Sequence, residues 1–434
     1  MPSHKRVSAA QDQIGAERDL TSEEKRRLGV LGLPTFGLAL SITLVSTYLP
    51  KVAQQFTHST TLIGAVVGGE GIMAIWVPLV VGPWSDQLRT RIGGRLPFLL
   101  AAVPVMALAV ASMGFVDSFG MIAVVAGVFF FAYFVAYEPY RAMYPDLIAD
   151  EVAGRAQSTQ AVWRGAATGV TLLFGGLLLS AARPAPFAIA AALAVATTLL
   201  FAGFVVRNRL AEREQRHAEE SPRVAARRLR KLVADHPALR LYLVVNGLWE
   251  MALAALKAFV VLYLTQGLGL KLTVASLLVG GTGLIILVGA VAAGKLGDRL
   301  GRFLVIRRAL WMYGIGLAVP IFVTLKPVVA AVVPLIALGG GAIMSLAYAL
   351  LMPLMPADER GALTGFYSVS RGIGITLGPV LAGILISVGQ SGVFSGTHGY
   401  QAMWIVCAGA ILASIPALWR LQAQEADRRV LRES

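Results

Sequence analysis

Apolar residues dominate this chain in blocks longer than any strand or surface helix requires, and short polar stretches separate them. The apolar runs cover residues 29–49, 60–82, 96–116, 119–141, 156–180 and 184–206, then 241–265, 272–294, 305–325, 327–350, 362–387 and 400–419. A helix of about 20 residues crosses a hydrocarbon core, so each run predicts one membrane-spanning helix. The expected fold is an all-α polytopic membrane protein with twelve transmembrane helices in two six-helix bundles. It divides into a tail (1–28), the first bundle (29–206), a basic linker (207–240), the second bundle (241–419) and a second tail (420–434). An even count puts both tails on one side. Thr21-Ser22-Glu23-Glu24 reads as a capping box that opens a helix. The stretch RVAARRLRKLV at 223–233 suits either a basic amphipathic helix on the membrane surface or a solvated linker.

The blocks repeat. Residues 68–86, GGEGIMAIWVPLVVGPWSD, align without a gap to residues 280–298, GGTGLIILVGAVAAGKLGD. Gly68, Gly69, Gly71, Gly82 and Asp86 match Gly280, Gly281, Gly283, Gly294 and Asp298, each 212 positions later. AVWRGAATGV at 161–170 answers SVSRGIGITL at 368–377, with Arg164 opposite Arg371. In membrane carriers built from parallel repeats, the solute site lies between the two bundles near the membrane midplane, and the same is expected here.

Composition agrees with that picture: 56% hydrophobic, 14% charged and a mean hydropathy of +0.70. A net charge of +14 invites a nucleic-acid partner, so its location decides. Of 38 Lys and Arg, 31 fall in the tails, in alternate connections or at the run ends beside them, four (Lys51, Arg183, Lys271, Lys326) in the opposite connections, and three (Arg164, Lys257, Arg371) deep inside runs. That is the positive-inside pattern, which argues for contact with the lipid bilayer and against nucleic acid. We expect a cell-membrane protein with both termini cytoplasmic. The first 27 residues lack an apolar core, which argues against a cleavable signal peptide. The single cysteine, Cys407, excludes a disulfide framework and a cysteine-ligated metal site. There is no GxxxxGK(S/T) loop for nucleotide and no HExxH or Cys–His arrangement, so we expect neither an enzyme nor a resident cofactor. We expect a proton as any coupling ion, with sodium as the alternative, and a monomer.

Ser85-Asp86, Arg91, Gly93, Arg95, Pro97 and Phe98 resemble the SD(x)4RxGRxPF loop of the sucrose-carrier branch of the major facilitator superfamily. That branch is related to the glycoside–pentoside–hexuronide:cation symporters. FGLALS at 36–41 resembles its first helix, PYRAMYPDL at 139–147 its fourth-helix end, and Arg164 its fifth-helix arginine. The similarity is densest over residues 30–170. Two positions depart from it: Glu138 stands where a small residue is usual, and Gly94 where arginine is usual. The resemblance implies a sugar-carrying secondary transporter, and it implies a proton-coupling role for the aspartate at Asp146.

Charges inside the runs carry the candidate chemistry. An ionised group at the bilayer centre costs about 2.5–3.5 kcal/mol on insertion scales, so Glu70, Glu138, Arg164, Glu250, Lys257 and Arg371 need a reason to be there. Mutual pairing that holds helices in register is one reason; ion or solute work is the other. Glu70 aligns with Thr282, and neither Glu250 nor Lys257 has a charged counterpart in the other half, which marks them as asymmetric. Glu70 leads as the proton-binding acid, followed by Asp146, Glu138 and Arg164. A structural Glu70–Arg164 pair is its rival, and protonation that breaks such a pair would unite the two readings. Asn246, Trp249, Glu250, Leu253 and Lys257 share one predicted helical face. An amide, an indole and two charges suit a sugar's hydroxyls and ring face, and also suit an interhelical polar seam. Tyr133, Tyr137 and Arg371 join these solute-binding candidates, with Tyr140 and Tyr144 placed as interfacial anchors. Gly82, Asp86, Arg91 and Arg95, with Gly294, Asp298 and Arg299, are expected to gate. Their aspartates should meet loop arginines and helix ends in the outward-facing state.

The expected function is proton-coupled symport of a small polar solute, a sugar or glycoside, by alternating access. Proton-antiport efflux of drugs or metabolites is the alternative, and a non-transporting membrane sensor a distant one.

Overall fold

The computed structural model describes residues 21–148, 153–210, 231, 234–351 and 360–433. Every apolar run folds as a helix. In order these are α1 (Ser22–Ala53), α2 (Thr60–Gln87), α3 (Leu96–Ser112), α4 (Phe119–Asp146), α5 (Ala153–Ala181) and α6 (Ala185–Arg207). The second set is α7 (Pro237–Leu262), α8 (Leu272–Leu300), α9 (Arg302–Phe322), α10 (Lys326–Leu351), α11 (Arg360–Gly389) and α12 (Met403–Glu433). A helix satisfies its own backbone, which is what lipid demands of a spanning segment. By length and composition eleven of the described helices can cross a membrane; α3, with 17 residues, is shorter.

α1 starts at the expected capping box. The Glu24 N–H donates to Thr21 Oγ1 (3.2 Å) and the Thr21 N–H to Glu24 Oε2 (2.9 Å). Three boundaries differ from the hydropathy reading. α3 stops at Ser112 because the chain turns through Gly114, where an added Cβ would lie 2.5 Å from Pro184 Cα. α12 runs on to Glu433, through the expected tail, because residues after Pro416 are helix formers without glycine or proline. α7 continues into a wide π turn, Tyr263–Gly267, that hydropathy does not mark. The proposed surface helix at 223–233 lies outside the described residues apart from Lys231.

Packing sorts the helices into two sets. α1 packs on α5 and α6, α3 on α4 and α6, and α2 on α4. Likewise α7 packs on α11 and α12, α8 on α10, and α9 on α10 and α12. Two long seams join the sets, α2 against α11 and α5 against α8. In both, the second helix of one half meets the fifth helix of the other. The repeated glycines explain how tightly the seams close. A Cβ on Gly68 would lie 2.8 Å from the Thr376 carbonyl oxygen, and one on Gly280 2.6 Å from Leu173 Cα. Small residues of this kind let helices approach in lipid, where no hydrophobic force drives them together.

The halves touch unevenly along their length. Hydrogen bonds between them include Tyr48–Ser276 (2.8 Å), Gln54–Tyr400 (2.9 Å), and Thr60 (2.7 Å) and Thr61 (3.5 Å) to the Gly383 carbonyl. All lie at the end remote from Ser22, where α1 begins. The space between the halves is closed there, yet Arg164 and Lys257 at mid-depth remain exposed to solvent. That space opens toward the end carrying Ser22 and Glu433.

Tyr140 and Tyr144 are not interfacial anchors. Both are fully buried. The Tyr140 hydroxyl donates to the Leu31 carbonyl (2.9 Å) and lies 2.9 Å from Thr35 Oγ1, tying α4 to α1. Tyr144 donates to the Ala156 carbonyl (3.1 Å), tying α4 to α5. A buried hydroxyl needs a partner, and these backbone carbonyls supply it.

Candidate functional site

The charged side chains of the spans converge on the space between the halves. From the first half, α2 brings Glu70, α4 brings Tyr133, Tyr137, Glu138 and Arg141, and α5 brings Arg164. From the second, α7 brings Glu250 and Lys257, and α11 brings Tyr367 and Arg371. Glu70 stands within electrostatic range of Lys257, Arg371 and Glu250 of the opposite half. Arg371 in turn acts on Tyr137, Glu138 and Arg164 across the gap.

Within this group the pairing is uneven. Arg371 Nε lies 3.4 Å from Glu250 Oε1. Arg141 lies 3.9 Å from Glu138, one turn along α4. Glu70 Oε2 is 2.6 Å from the Ser46 hydroxyl, which also lies 2.8 Å from the Ile42 carbonyl. Arg164 donates to the Tyr137 hydroxyl (3.1 Å), its guanidinium carbon 5.8 Å from that ring's centroid. Tyr137 is stacked on Tyr133, 5.4 Å between centroids and 12° between planes. Lys257 makes no ion pair or hydrogen bond among the described residues. A direct Glu70–Arg164 pair is therefore absent here: Ser46 and Tyr137 take the two ends instead.

The predicted face of α7 splits. Glu250 and Lys257 face the gap, but Asn246 and Trp249 turn into helix seams of their own half. Asn246 Nδ2 meets Ser370 Oγ on α11 (3.3 Å), and Trp249 Nε1 donates to Ser414 Oγ on α12 (2.9 Å). Both side chains are almost wholly buried. One hundred degrees per residue separates Trp249 from Glu250, enough to change neighbour.

The gating candidates also divide. Asp86 Oδ1 receives Arg95 through Nε (2.9 Å) and a terminal nitrogen (2.7 Å), and Arg95 also donates to the Ala142 carbonyl (2.9 Å). This clamp ties the end of α2 to α4 within one half, in a structure whose halves are parted at that end. It is thus not confined to the outward-facing state. Arg91, Asp298 and Arg299 are exposed, and added Cβ atoms at Gly82 and Gly294 meet open or nearly open space. Asp146 ends α4; its side chain lies outside the described set. A separate polar concavity of about 320 Å³ at the closed end is lined by Gln54, His58, Gln266, Gln390, His398 and Tyr400. None of the predicted site residues is in it.

Three members of the cluster escaped the sequence reading: Ser46, Arg141 and Tyr367. Ser46 and Tyr367 are neutral, so intramembrane charge could not flag them. Arg141 falls at the edge of its apolar run and reads as a cytoplasmic flank.

The profile of the Major Facilitator Superfamily matches residues 31–306 and 251–433. No curated protein sequence matches the chain. Among solved structures, a point variant of the nucleoside transporter NupG superposes with a TM-score of 0.73 at 14% identity, over 92% of this chain and 99% of that one. A bacterial homologue of the human lysosomal transporter Spinster, inward-facing and occupied, gives 0.73 at 13% identity, over 93% and 98%. A bacterial homologue of the iron transporter ferroportin, inward-facing, gives 0.65 at 16% identity, over 91% and 98%.

Proposed function

The chain belongs to the major facilitator superfamily, and on that premise we propose that it is a proton-coupled symporter of a small polyhydroxylated solute of sugar size. Charged side chains of both halves meet at mid-depth, with Glu70 of α2 facing Lys257, Glu250 and Arg371 across the gap. That one observation carries the reading, because a site shared by two moving halves is what alternating access needs. The stacked Tyr133–Tyr137 pair offers a ring face beside the charges. Positive-inside orientation makes the open end cytoplasmic, so this is the inward-facing state.

Glu70 is the proton carrier in this reading. Its carboxyl can hold the Ser46 contact either as acceptor or, once protonated, as donor while Ser46 bonds Ile42. Ion pairs at Glu138–Arg141 and Glu250–Arg371 set the field around it. Expressing cells in a weakly buffered medium, given a panel of sugars, should alkalinise the medium with the transported one. Glu70→Gln should abolish proton-driven accumulation while leaving solute exchange at equal concentrations intact. Accumulation that persists in Glu70→Gln removes Glu70 from the coupling role.

A further inference from the structure

We propose that the carried solute is an anion, its negative group seated between Arg164 of one half and Lys257 of the other. This rests on the transport reading above and adds the charge of the cargo to it.

The gap holds Arg141, Arg164, Lys257 and Arg371 against Glu70, Glu138 and Glu250, one cation more than carboxylates. Two of the carboxylates are committed: Glu138 to Arg141 at 3.9 Å and Glu250 to Arg371 at 3.4 Å. The third, Glu70, bonds Ser46 rather than a cation. Arg164 is left with one phenol hydroxyl and a ring face, and Lys257 with no bonded partner among the described residues. A guanidinium presents five donors and an ammonium three, so both retain donors aimed at the gap. Both are exposed to solvent, although they lie mid-helix. They also stand on opposite halves, within electrostatic range of each other, although Glu70 and Glu250 act on Lys257 more strongly than Arg164 does. Two like charges held together at mid-membrane repel, and an anion between them removes the repulsion and fills the donors at once. A neutral solute's hydroxyls can accept from these donors, but they leave the repulsion in place.

Glu70 fits the same scheme. The groups facing it are Ser46 on α1, Tyr133 on α4, Glu250 and Lys257 on α7, and Arg371 on α11. While ionised, Glu70 competes with the solute for Lys257. A proton on Glu70 ends that competition, so proton and anion favour each other's binding by the same factor. A monovalent anion then travels with one proton and no net charge.

The test uses purified full-length protein and three probes on one carbon skeleton: gluconate (a carboxylate), glucose 6-phosphate (a phosphate ester) and glucose (neutral). Ligand-induced thermal stabilisation and uptake into proteoliposomes are read for each. At least one anion should stabilise the protein and be taken up, and which one does so separates carboxylate from phosphate recognition. Arg164→Gln and Lys257→Gln should each weaken the apparent affinity at least about tenfold, the loss of one charge-assisted contact. Arg164→Lys should retain most of it, which shows that charge and not folding was lost. Glu70→Gln should still bind the anion, with its affinity now independent of pH. Glucose binding and uptake as strong as either anion's overturns the anion proposal and leaves the carrier reading standing. Wild-type affinity for the anion in Arg164→Gln or Lys257→Gln overturns it too, as does silence of both anions. Accumulation that ignores a proton gradient strikes instead at the coupling reading.

Discussion

Ser276→Ala should tilt this carrier toward the state open at the end that is now closed. The Tyr48 hydroxyl donates its one hydrogen to the Leu172 carbonyl (2.7 Å) in its own half, so at 2.8 Å from Ser276 Oγ it accepts. Ser276 is fully buried, and its bond to Tyr48 exists only while α1 and α5 lie against α8. A neutral buried hydrogen bond contributes about 0.5–1.5 kcal/mol net, which is a factor of about 2–12 in an equilibrium between two states. Alanine leaves no orphaned hydroxyl at 276, and Tyr48 keeps its bond to Leu172, so the change isolates the contact between halves. Spin labels at the exposed positions His58 and Lys271, in the connections α1–α2 and α7–α8, should show the longer distance gaining population by that factor. Tyr48→Phe should add a small cost to overall stability, because the Leu172 carbonyl loses the hydroxyl bond it accepts beside its helical one. In the double variant the shift should equal that of either single one, since both remove the same bond. An unchanged distance distribution in a folded Ser276→Ala protein, or a shift toward the short distance, refutes the reasoning.

Five further substitutions test the packing and the pairs. Arg95→Ala should lower the stability of the purified protein by about 2–3 kcal/mol, because a buried guanidinium with three bonds is lost; Arg91→Ala, at an exposed neighbour, should stay within about 0.5 kcal/mol in the same denaturation assay. Gly280→Val should force α5 from α8 at a cost of about 1–3 kcal/mol to the closed end, and Gly68→Val should act in the same direction through the other seam. Cysteine accessibility near His58 would read both. Trp249→Phe should cost about 1 kcal/mol, the bond to Ser414, and leave solute affinity unchanged; a weaker affinity without loss of stability would return Trp249 to the binding site.

Most of the fold was legible because its cause is local. A hydrophobic run of membrane length has one stable outcome, and twelve runs in two matching sets implied two related halves. Gly68 and Gly280 were visible as repeated letters, and their role at the seams follows from having no side chain. Within the site, legibility followed charge: Glu70, Glu250, Lys257, Arg164 and Arg371 stand out against lipid and do converge. What failed was rotation and partner choice. Trp249 sits one residue from Glu250, and only the position of α12 reveals that its indole turns away. Ser46 and Tyr137, which take the partners that Glu70 and Arg164 were expected to find in each other, carry no net charge and so give no signal in hydropathy. Tyr140 and Tyr144 look like interface residues by type, yet neighbouring carbonyls make full burial affordable.

The two seams have a further meaning as symmetry. Helix two on helix five, made once in each direction, is the self-matching contact of a twofold dimer, here written into a single chain. In an unfused pair, each substitution on such a surface would act twice. Fusion frees one copy to differ from the other, and Glu70 opposite Thr282 is that freedom put to use: an acid on one side of the axis, a hydroxyl on the other.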